Sequence, residues 1–496
     1  MKNGANMKLN NENTQNTNNN DKIIQKVHLE GYGCTLNTSD TEIIKNSLIE
    51  KGFNVFTGNF NDLKDENINL VVINTCIVRQ ETEHKMISKI KKYKESNKKV
   101  IVAGCLAKAL SKKVEGLYDA LIMPREAHLS GEIVKAVVEG YKPEEINNKI
   151  DLFKKEVENS EISKIDNKLN YLLKNNCTEN NNNNNNKIVN NTNNNTNLVM
   201  ALPICEGCLG NCTYCIVKVA RGNLISYEPK NIIKKSEELI KSGTKCLLIT
   251  AQDTACYGFD RRDKYRLPNL INDIVDNPNS KPFDFGIRIG MMHANYANSF
   301  IDELIESYSS EKVIKFLHLP IQSGDDNVLK DMNRGYTVDE FISVLGEFKR
   351  KVKDLNFTTD VIVGFPTESE EAFENTLEVM KKIKPDFTHG AKYSQRKYTL
   401  AGRMKQIDTK IRKERSEILN KLRREISFEN NKRHVGQTFE CLITKKGEAI
   451  TSNCKKVLFN RFDEFNEFNA PVGEFKTLKI TEAGTFGLKG RLIKNN

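Results

Sequence analysis

Cys208, Cys212 and Cys215 fall on one short loop, in the stretch Ile204-Cys-Glu-Gly-Cys-Leu-Gly-Asn-Cys-Thr-Tyr-Cys215. The spacing is C-x3-C-x2-C, with the aromatic Tyr214 just before the last cysteine. Three thiolates so placed can hold three irons of a [4Fe–4S] cluster and leave the fourth iron open to a small molecule. The C-x2-C-x2-C-x3-C-P run of a bacterial ferredoxin is absent. Zinc on Cys205, Cys208, Cys212 and Cys215 is the alternative. Zinc ribbons, however, separate their two C-x2-C pairs by roughly 15–20 residues, whereas only Leu209, Gly210 and Asn211 intervene here. In the cluster reading Cys205 is a bystander.

Cys34, Cys76 and Cys105 are far apart in sequence, yet each follows a strand-like run: Leu29-Glu-Gly-Tyr-Gly-Cys34, Val71-Val-Ile-Asn-Thr-Cys76 and Val100-Ile-Val-Ala-Gly-Cys105. In a parallel sheet the carboxyl ends of the strands share one edge, and ligand sites form outside it. Three thiols there can converge on a second metal centre, with Gly31, Gly33 and Gly104 allowing sharp turns and close approach. The alternative is three ordinary buried cysteines packed as small apolar groups.

The elements that must carry these groups read as α/β. Residues 1–21 are polar and Asn-rich and have nothing to bury, so disorder is expected. Over 22–150, strand-like runs at Ile23–Glu30, Leu70–Asn74, Val100–Ala103 and Leu117–Met123 alternate with helical patterns such as Thr41–Lys51, which predicts a covered parallel sheet. Residues 151–197 read as a linker; they include the Asn-rich run Asn175–Asn197 and, within it, Cys177, which is not expected to be a ligand. Over 198–430 six strand-like runs begin at Val199, Cys246, Phe285, Phe316, Thr359 and His389, with helices such as Asp339–Lys353 and Ser369–Lys382 between them. That predicts a partial (β/α)6 barrel. The charged helix Ile411–Asn431 leads to 431–494, where short β runs predict a small β-barrel of the kind that binds oligonucleotides.

The chain has 496 residues and a formal net charge of +11, which suits a polyanionic partner or simply solvated Lys-rich helices. There is no apolar run of about 18 residues and no secretory h-region, so a cytoplasmic protein without a membrane span is expected.

Taken together the two cysteine sets resemble the radical S-adenosylmethionine (SAM) methylthiotransferases over about residues 24–494. Gly33-Cys34-Thr-Leu-Asn37, Ile73-Asn-Thr-Cys76 and Ala103-Gly-Cys105 look like the family's auxiliary-cluster segments. Cys208 to Cys215 followed by Ala220-Arg221-Gly222, His318-Leu-Pro-Ile-Gln-Ser-Gly324 and Asp360-Val-Ile-Val-Gly-Phe-Pro366 look like the radical-SAM core, and the C-terminal barrel is TRAM-like. The loop Ala251-Gln-Asp-Thr-Ala-Cys-Tyr-Gly258 is most similar to the archaeal and eukaryotic branch. The loops Tyr393–Thr399 and Gly364–Glu368 depart from the family pattern, lacking a Pro and Gly and a second Gly respectively.

The resemblance implies two [4Fe–4S] clusters, SAM, and tRNA carrying N6-threonylcarbamoyladenosine beside the anticodon, with an electron donor and a sulfur donor as further partners. It implies a 5′-deoxyadenosyl radical that takes the hydrogen from C2 of adenine and a sulfur delivered from the auxiliary cluster. Targets of sibling enzymes, isopentenyladenosine or a ribosomal-protein aspartate, stay open, as does a non-catalytic iron–sulfur RNA-binding protein. Tyr214 could pack beside the SAM adenine or simply in the core. Gln252, Asp253, Arg288 and Gln322 stand at strand ends where barrel enzymes place binding groups; Arg288 could pair with the SAM carboxylate. Lys432, Arg433 and Lys445 could meet tRNA phosphates or remain solvated. His293 and His318 read as structural, and Cys246 and Cys256 as unligated.

Overall fold

A computed structural model of the chain describes residues 25–58, 68–157, 161–172, 198–396, 398–459, 462–463, 466–467 and 470–493. The Asn-rich tail, Ile23, Cys177 and the run Asn175–Asn197 lie outside these residues.

The N-terminal sheet has five parallel strands, β1 (Lys26–Gly31), β2 (Asn54–Thr57), β3 (Leu70–Thr75), β4 (Lys99–Gly104) and β5 (Ala120–Ile122), in the order β2-β1-β3-β4-β5. Every residue of the central β3 is buried, as a continuous apolar run in a sheet covered on both faces requires. The edge strand β2 was not expected; it is short and only half-buried, so it has no apolar run to reveal it. The helix expected from Thr41 begins at Thr35, directly after Cys34. Its first turns bury Asn37, Ser39 and Asp40, and buried polar residues hide the apolar stripe that marks a helix. The stretch read as linker from 151 starts inside one helix, Pro143–Val157, and continues into another, Glu161–Asn170, which docks Lys168 in the interior.

The central unit contains β6 (Val199–Pro203), the small antiparallel pair β7 (Cys205–Glu206) and β8 (Ile225–Ser226), then β9 (Cys246–Thr250), β10 (Gly286–Ile289), β11 (Phe316–His318), β12 (Asn356–Val363) and β13 (Phe387–Lys392). Two parallel sheets, β10-β9-β6 and β11-β12-β13, meet through the bridge Ile287–Val313 and form the open barrel. Strand β11 stops at His318 rather than Ile321, because Pro320 has no N–H to donate; pairing resumes at the bridge Gln322–Val361. Helix Val338–Lys351 opens on a capping box of Thr337 and Glu340. One apolar core runs from Val27 and Ile43 of the N-terminal unit to Leu202, Leu247 and Phe357 of the barrel, so the two units pack as one body.

Helix Thr409–Lys432 leads to β14 (Thr438–Lys445), β15 (Glu448–Thr451), β16 (Lys456–Phe459), the two-residue pair β17 (Phe462–Asp463) and β18 (Asn466–Glu467), β19 (Phe475–Ala483) and β20 (Leu488–Leu492). Strands β14-β15-β16-β20-β19 close a five-stranded barrel around Cys441, Ile443, Val457 and Leu478. Its β15–β16 turn plugs into the larger barrel. Asn356 donates to the Asn453 carbonyl (2.8 Å), and buried Lys455 pairs with Asp386 (2.8 Å) and Asn431 (3.0 Å). Among the described residues no helix is long and apolar enough to cross a membrane.

Candidate functional site

The N-terminal cysteines stand where three adjacent strands end. Cys76 and Cys105 directly follow β3 and β4, and Cys34 caps the helix after β1. Two glycines make the approach possible. Gly33 has φ +121°, and a Cβ there would lie 2.7 Å from Cys76 Cβ; Gly104 has φ +84°, and a Cβ would collide with Asn74 Oδ1. Asn37 ties the loops together, donating to the carbonyls of Tyr32 and Thr75 at 2.8 Å each. Cys34 and Cys76 both act electrostatically on Cys105, whose thiol burial pushes up to about 11. Burial raises Cys76 too. Thiols held this way stay protonated near neutral pH until a metal displaces the proton.

The C-x3-C-x2-C loop is fixed by the segment after helix Asp326–Asp331. Thr213 N–H donates to Met332 O (3.1 Å), Thr213 Oγ1 donates to Asp331 O (2.7 Å), and Asn333 donates to Asn211 O (3.0 Å). Cys208 and Cys212 turn toward the same side, with Sγ atoms 3.5 and 3.9 Å from a Cβ built on Gly210. Burial, with the Cys212 and Cys208 charges beside it, pushes Cys215 up to about 11. Arg334, buried, donates to Cys212 Sγ (3.2 Å) and Tyr214 OH (3.3 Å). Sequence reasoning did not single out Arg334; its only signal was the polar run Met332-Asn-Arg-Gly-Tyr-Thr337 at a helix end. Cys205 is turned into the core, against Cys256 and Asp253, which does not favour a four-cysteine zinc site.

The groups expected to hold SAM divide. Gln252, Asp253 and Gln322 each keep a buried oxygen without a partner: Gln252 Oε1, Asp253 Oδ2 and Gln322 Oε1. Asp253 Oδ1 accepts from the backbone of His293 (3.0 Å) and Ala255 (3.1 Å), and burial pushes its carboxyl up to about 6 despite those bonds. Unpartnered buried oxygens are costly in a finished core, and these fit a polar ligand beside the cysteine loop. Arg288 is not drawn in: its guanidinium covers the Phe316 ring (4.8 Å) and points at Cys454 (3.7 Å). Tyr214 packs edge-on against Phe365 (6.5 Å), the core alternative. His293 caps helix Ala294–Asn298, with its Nδ1 accepting from Asn295 N–H. His318 is not a closed structural residue; it faces the barrel interior beside Asp360 and His389.

Two contacts join the cysteine sets. Helix Cys105–Ala109 and helix Val217–Arg221, each starting at or just past a cysteine set, pack in one apolar cluster through Leu106, Ala107, Ile216 and Ala220. At the end of the second helix, buried Arg221 donates to Asn37 Oδ1 (2.6 Å) and Asp40 Oδ2 (2.6 Å) and to Glu206 Oε2 (3.1 Å). Lys168 pairs with the same Asp40 (2.5 Å) and with Glu206. Burial would raise Glu206, but the two cations outweigh it and hold the carboxyl at about 2. Arg221 Nε is buried without a partner and its guanidinium neighbours Cys105 and Cys34, a donor suited to a sulfur-rich anion. Farther out, Arg396 clasps Glu83 and the carbonyls of Ile77 (2.8 Å) and Val78 (3.2 Å), the loop just after Cys76.

Of the expected RNA contacts, Lys432 pairs with Glu429 (2.9 Å) and Arg433 with Asp386 (3.6 Å), while Lys445 is exposed near the β14–β15 turn.

Family models agree with this layout. The Radical SAM superfamily model matches residues 202–380, and the model described as Uncharacterized protein family UPF0004 matches 26–123. A probable threonylcarbamoyladenosine tRNA methylthiotransferase of Methanocaldococcus jannaschii is 52% identical over 94% of this chain and 97% of its own length. The chain belongs to that methylthiotransferase family. The Pyrococcus horikoshii member is 34% identical over 94% of this chain and 99% of its own, and the Xenopus laevis member 27% identical over 95% and 78%. As a radical SAM methylthiotransferase family member the chain carries the requirement for SAM and a [4Fe–4S] cluster. At the level of fold it is similar to a radical SAM methyltransferase of Kitasatospora setae, with TM-score 0.52 and 13% identity over 76% of this chain and 77% of that one.

Proposed function

We propose that the chain adds a methylthio group to C2 of the adenine in N6-threonylcarbamoyladenosine of tRNA, in the cytoplasm, using two clusters. When bound, a cluster on Cys208, Cys212 and Cys215 with SAM supplies one-electron bond cleavage, and a second cluster on Cys34, Cys76 and Cys105 supplies the sulfur chemistry. The protein's part is to bind, orient and keep out water. Arg334 stabilises the Cys212 thiolate with a charge-assisted hydrogen bond. Asp253 Oδ2, Gln252 Oε1 and Gln322 Oε1 accept from the ammonium and hydroxyl groups of SAM; an ammonium beside Asp253 would lower its raised pKa. Arg221 donates to the sulfurs of the N-terminal centre and holds that unit against the barrel. Lys445, with Lys432 and Arg433, meets tRNA phosphates on the small barrel. An electron donor and a sulfur donor complete the partners.

The observation that supports this reading is Arg221, which follows the core cysteine loop, donates to Asn37 and acts on Cys105 of the other set, so one buried arginine connects the two segments. The experiment is anaerobic reconstitution, then reaction with SAM, dithionite and tRNA bearing threonylcarbamoyladenosine, with mass spectrometry of the nucleosides. A gain of one methylthio group on that nucleoside supports the reading; its absence, with 5′-deoxyadenosine still formed, refutes the substrate. Replacing Cys34, Cys76 and Cys105 by Ala together should remove about half of the iron, as two four-iron centres require.

A further inference from the structure

His318, Asp360 and His389 project from the neighbouring strands β11, β12 and β13, and their ligating atoms lie within 4.8 Å of one another. His318 Nε2 is 3.1 Å from Asp360 Oδ1, and the two imidazole rings are 5.4 Å apart. Asp360 stands opposite His389 in the strand register. Two imidazoles and a carboxylate form a donor set for zinc or ferrous iron.

The surroundings favour a different ligand. The protein packed around the ring, with the charges of His318, Arg79 and Arg423, lowers His389 from its usual value and Asp360 opposes them, so guanidinium groups from two other elements act on this exposed ring. Arg334 acts on Asp360 from the side of Cys212. One carboxylate among three guanidinium groups is a poor host for a further cation and a good one for an anion with polar groups attached. The position is also constrained. Arg79 lies three residues past Cys76, on the loop whose Ile77 and Val78 carbonyls Arg396 pins to the barrel. Arg79 is exposed; its carbonyl accepts from Glu83 N–H (3.0 Å), while its guanidinium makes no hydrogen bond or ion pair among the described residues. Arg423 donates Nη1 to Thr388 O (3.0 Å), beside His389, and Nε to Asn420 (2.7 Å). The group therefore stands between the Cys76 loop on one side and Arg334 with Cys212 on the other, where a base that must meet both cysteine sets would sit.

We propose that His318, Asp360 and His389, with Arg79 and Arg423 at the rim, bind the amino-acid arm of the modified adenosine. The arm's carboxylate pairs with the Arg79 and Arg423 guanidinium groups, and its hydroxyl and urea N–H groups hydrogen-bond to the imidazoles and Asp360. This rests on the threonylcarbamoyl reading above and assigns residues to it. An isopentenyl arm carries no polar group; it would leave these side chains desolvated and unpaired, and a site built for hydrogen bonds rejects such a ligand strongly.

The test uses reconstituted holoenzyme and synthetic anticodon stem–loops that differ only in the target nucleoside: threonylcarbamoyladenosine, isopentenyladenosine or adenosine. Methylthiolation kcat/KM is measured for wild type, Arg79→Ala, Arg79→Lys and His389→Ala, with iron content as the check on loading. The proposal expects the wild-type preference for the threonylcarbamoyl substrate to fall about tenfold or more in Arg79→Ala and His389→Ala, chiefly through KM, with partial recovery in Arg79→Lys. A preference retained in both alanine variants would overturn it while leaving the functional reading intact, because wild type still converts the substrate. Failure of wild type to convert that substrate would remove both. Uptake of one Zn2+ per chain by holoenzyme, abolished by His389→Ala, would also overturn it in favour of a metal site.

Discussion

Arg221→Met is the most informative single substitution. Methionine keeps an unbranched chain of similar reach but carries no charge. In the native interior two cations, Arg221 and Lys168, face two carboxylates, Asp40 and Glu206, and all four side chains are almost fully buried. The variant leaves Lys168 alone against both carboxylates and strips Asn37 Oδ1 of its 2.6 Å donor. Removing one partner of a buried ion pair costs about 3–5 kcal/mol. Because Arg221 bridges the N-terminal unit and the barrel, that loss falls on the seam between them and on the second cysteine set. The expected result is a lower urea midpoint by an amount equivalent to about 3–5 kcal/mol and selective loss of iron from the Cys34/Cys76/Cys105 centre. Arg221→Lys, with charge but no planar fork, should fall between. There is a pH signature. Glu206 is held at about 2 by both cations; with one gone its carboxyl titrates higher, so the deficit of the variant should shrink as pH falls from 7 toward 5, where the orphaned acid takes up a proton. Full iron retention and a stability change under about 1 kcal/mol would refute the argument that this ion cluster joins the units.

Other outcomes follow from single contacts. Arg334→Ala removes a charged donor to Cys212; at about 1.5–3 kcal/mol for such a bond, 5′-deoxyadenosine formation should drop roughly 10- to 100-fold, measurable by chromatography. Burial would raise the Glu30 carboxyl, but hydrogen bonds from His28, Tyr32, Tyr93 and Lys89 hold it at about 2 against an ordinary 4.5. Its stabilisation, about 3 kcal/mol, is present above pH 4.5 and is lost as pH falls toward 2; Glu30→Gln should flatten acid unfolding, followed by circular dichroism, over that window. Lys445→Ala should weaken tRNA binding and reduce the slope of log K against log salt by about one. Lys432→Ala should do less, because Lys432 is already paired with Glu429.

The positions of Cys76 and Cys105 were readable because each follows a run as apolar as Val71-Val-Ile or Val100-Ile-Val, and the C-x3-C-x2-C loop because its spacing is so short. Strands β3, β4 and β6 were readable for the same reason, as buried apolar runs, whereas the short, half-buried β2 was not. What escaped were charges whose partners lie far along the chain. Arg221 meets Asp40, 181 positions away, and Arg396 meets Ile77, 319 positions away; no local pattern distinguishes such an arginine from a solvated one. Lys168 sat in a stretch that read as linker because it is polar, yet it is buried against two acids. Arg288, whose strand-end position suggested a ligand, meets Cys454 of the docked hairpin.

That hairpin has a consequence for reach. Asn453 and Lys455 anchor the small C-terminal barrel to residues 354–356, Asp386 and Asn431 through buried hydrogen bonds, which do not permit it to swing as an appendage on a tether. A nucleic acid held there, as proposed above, would be presented at a set offset from the cysteine loop, as on a jig, so that length rather than sequence would select the nucleotide attacked.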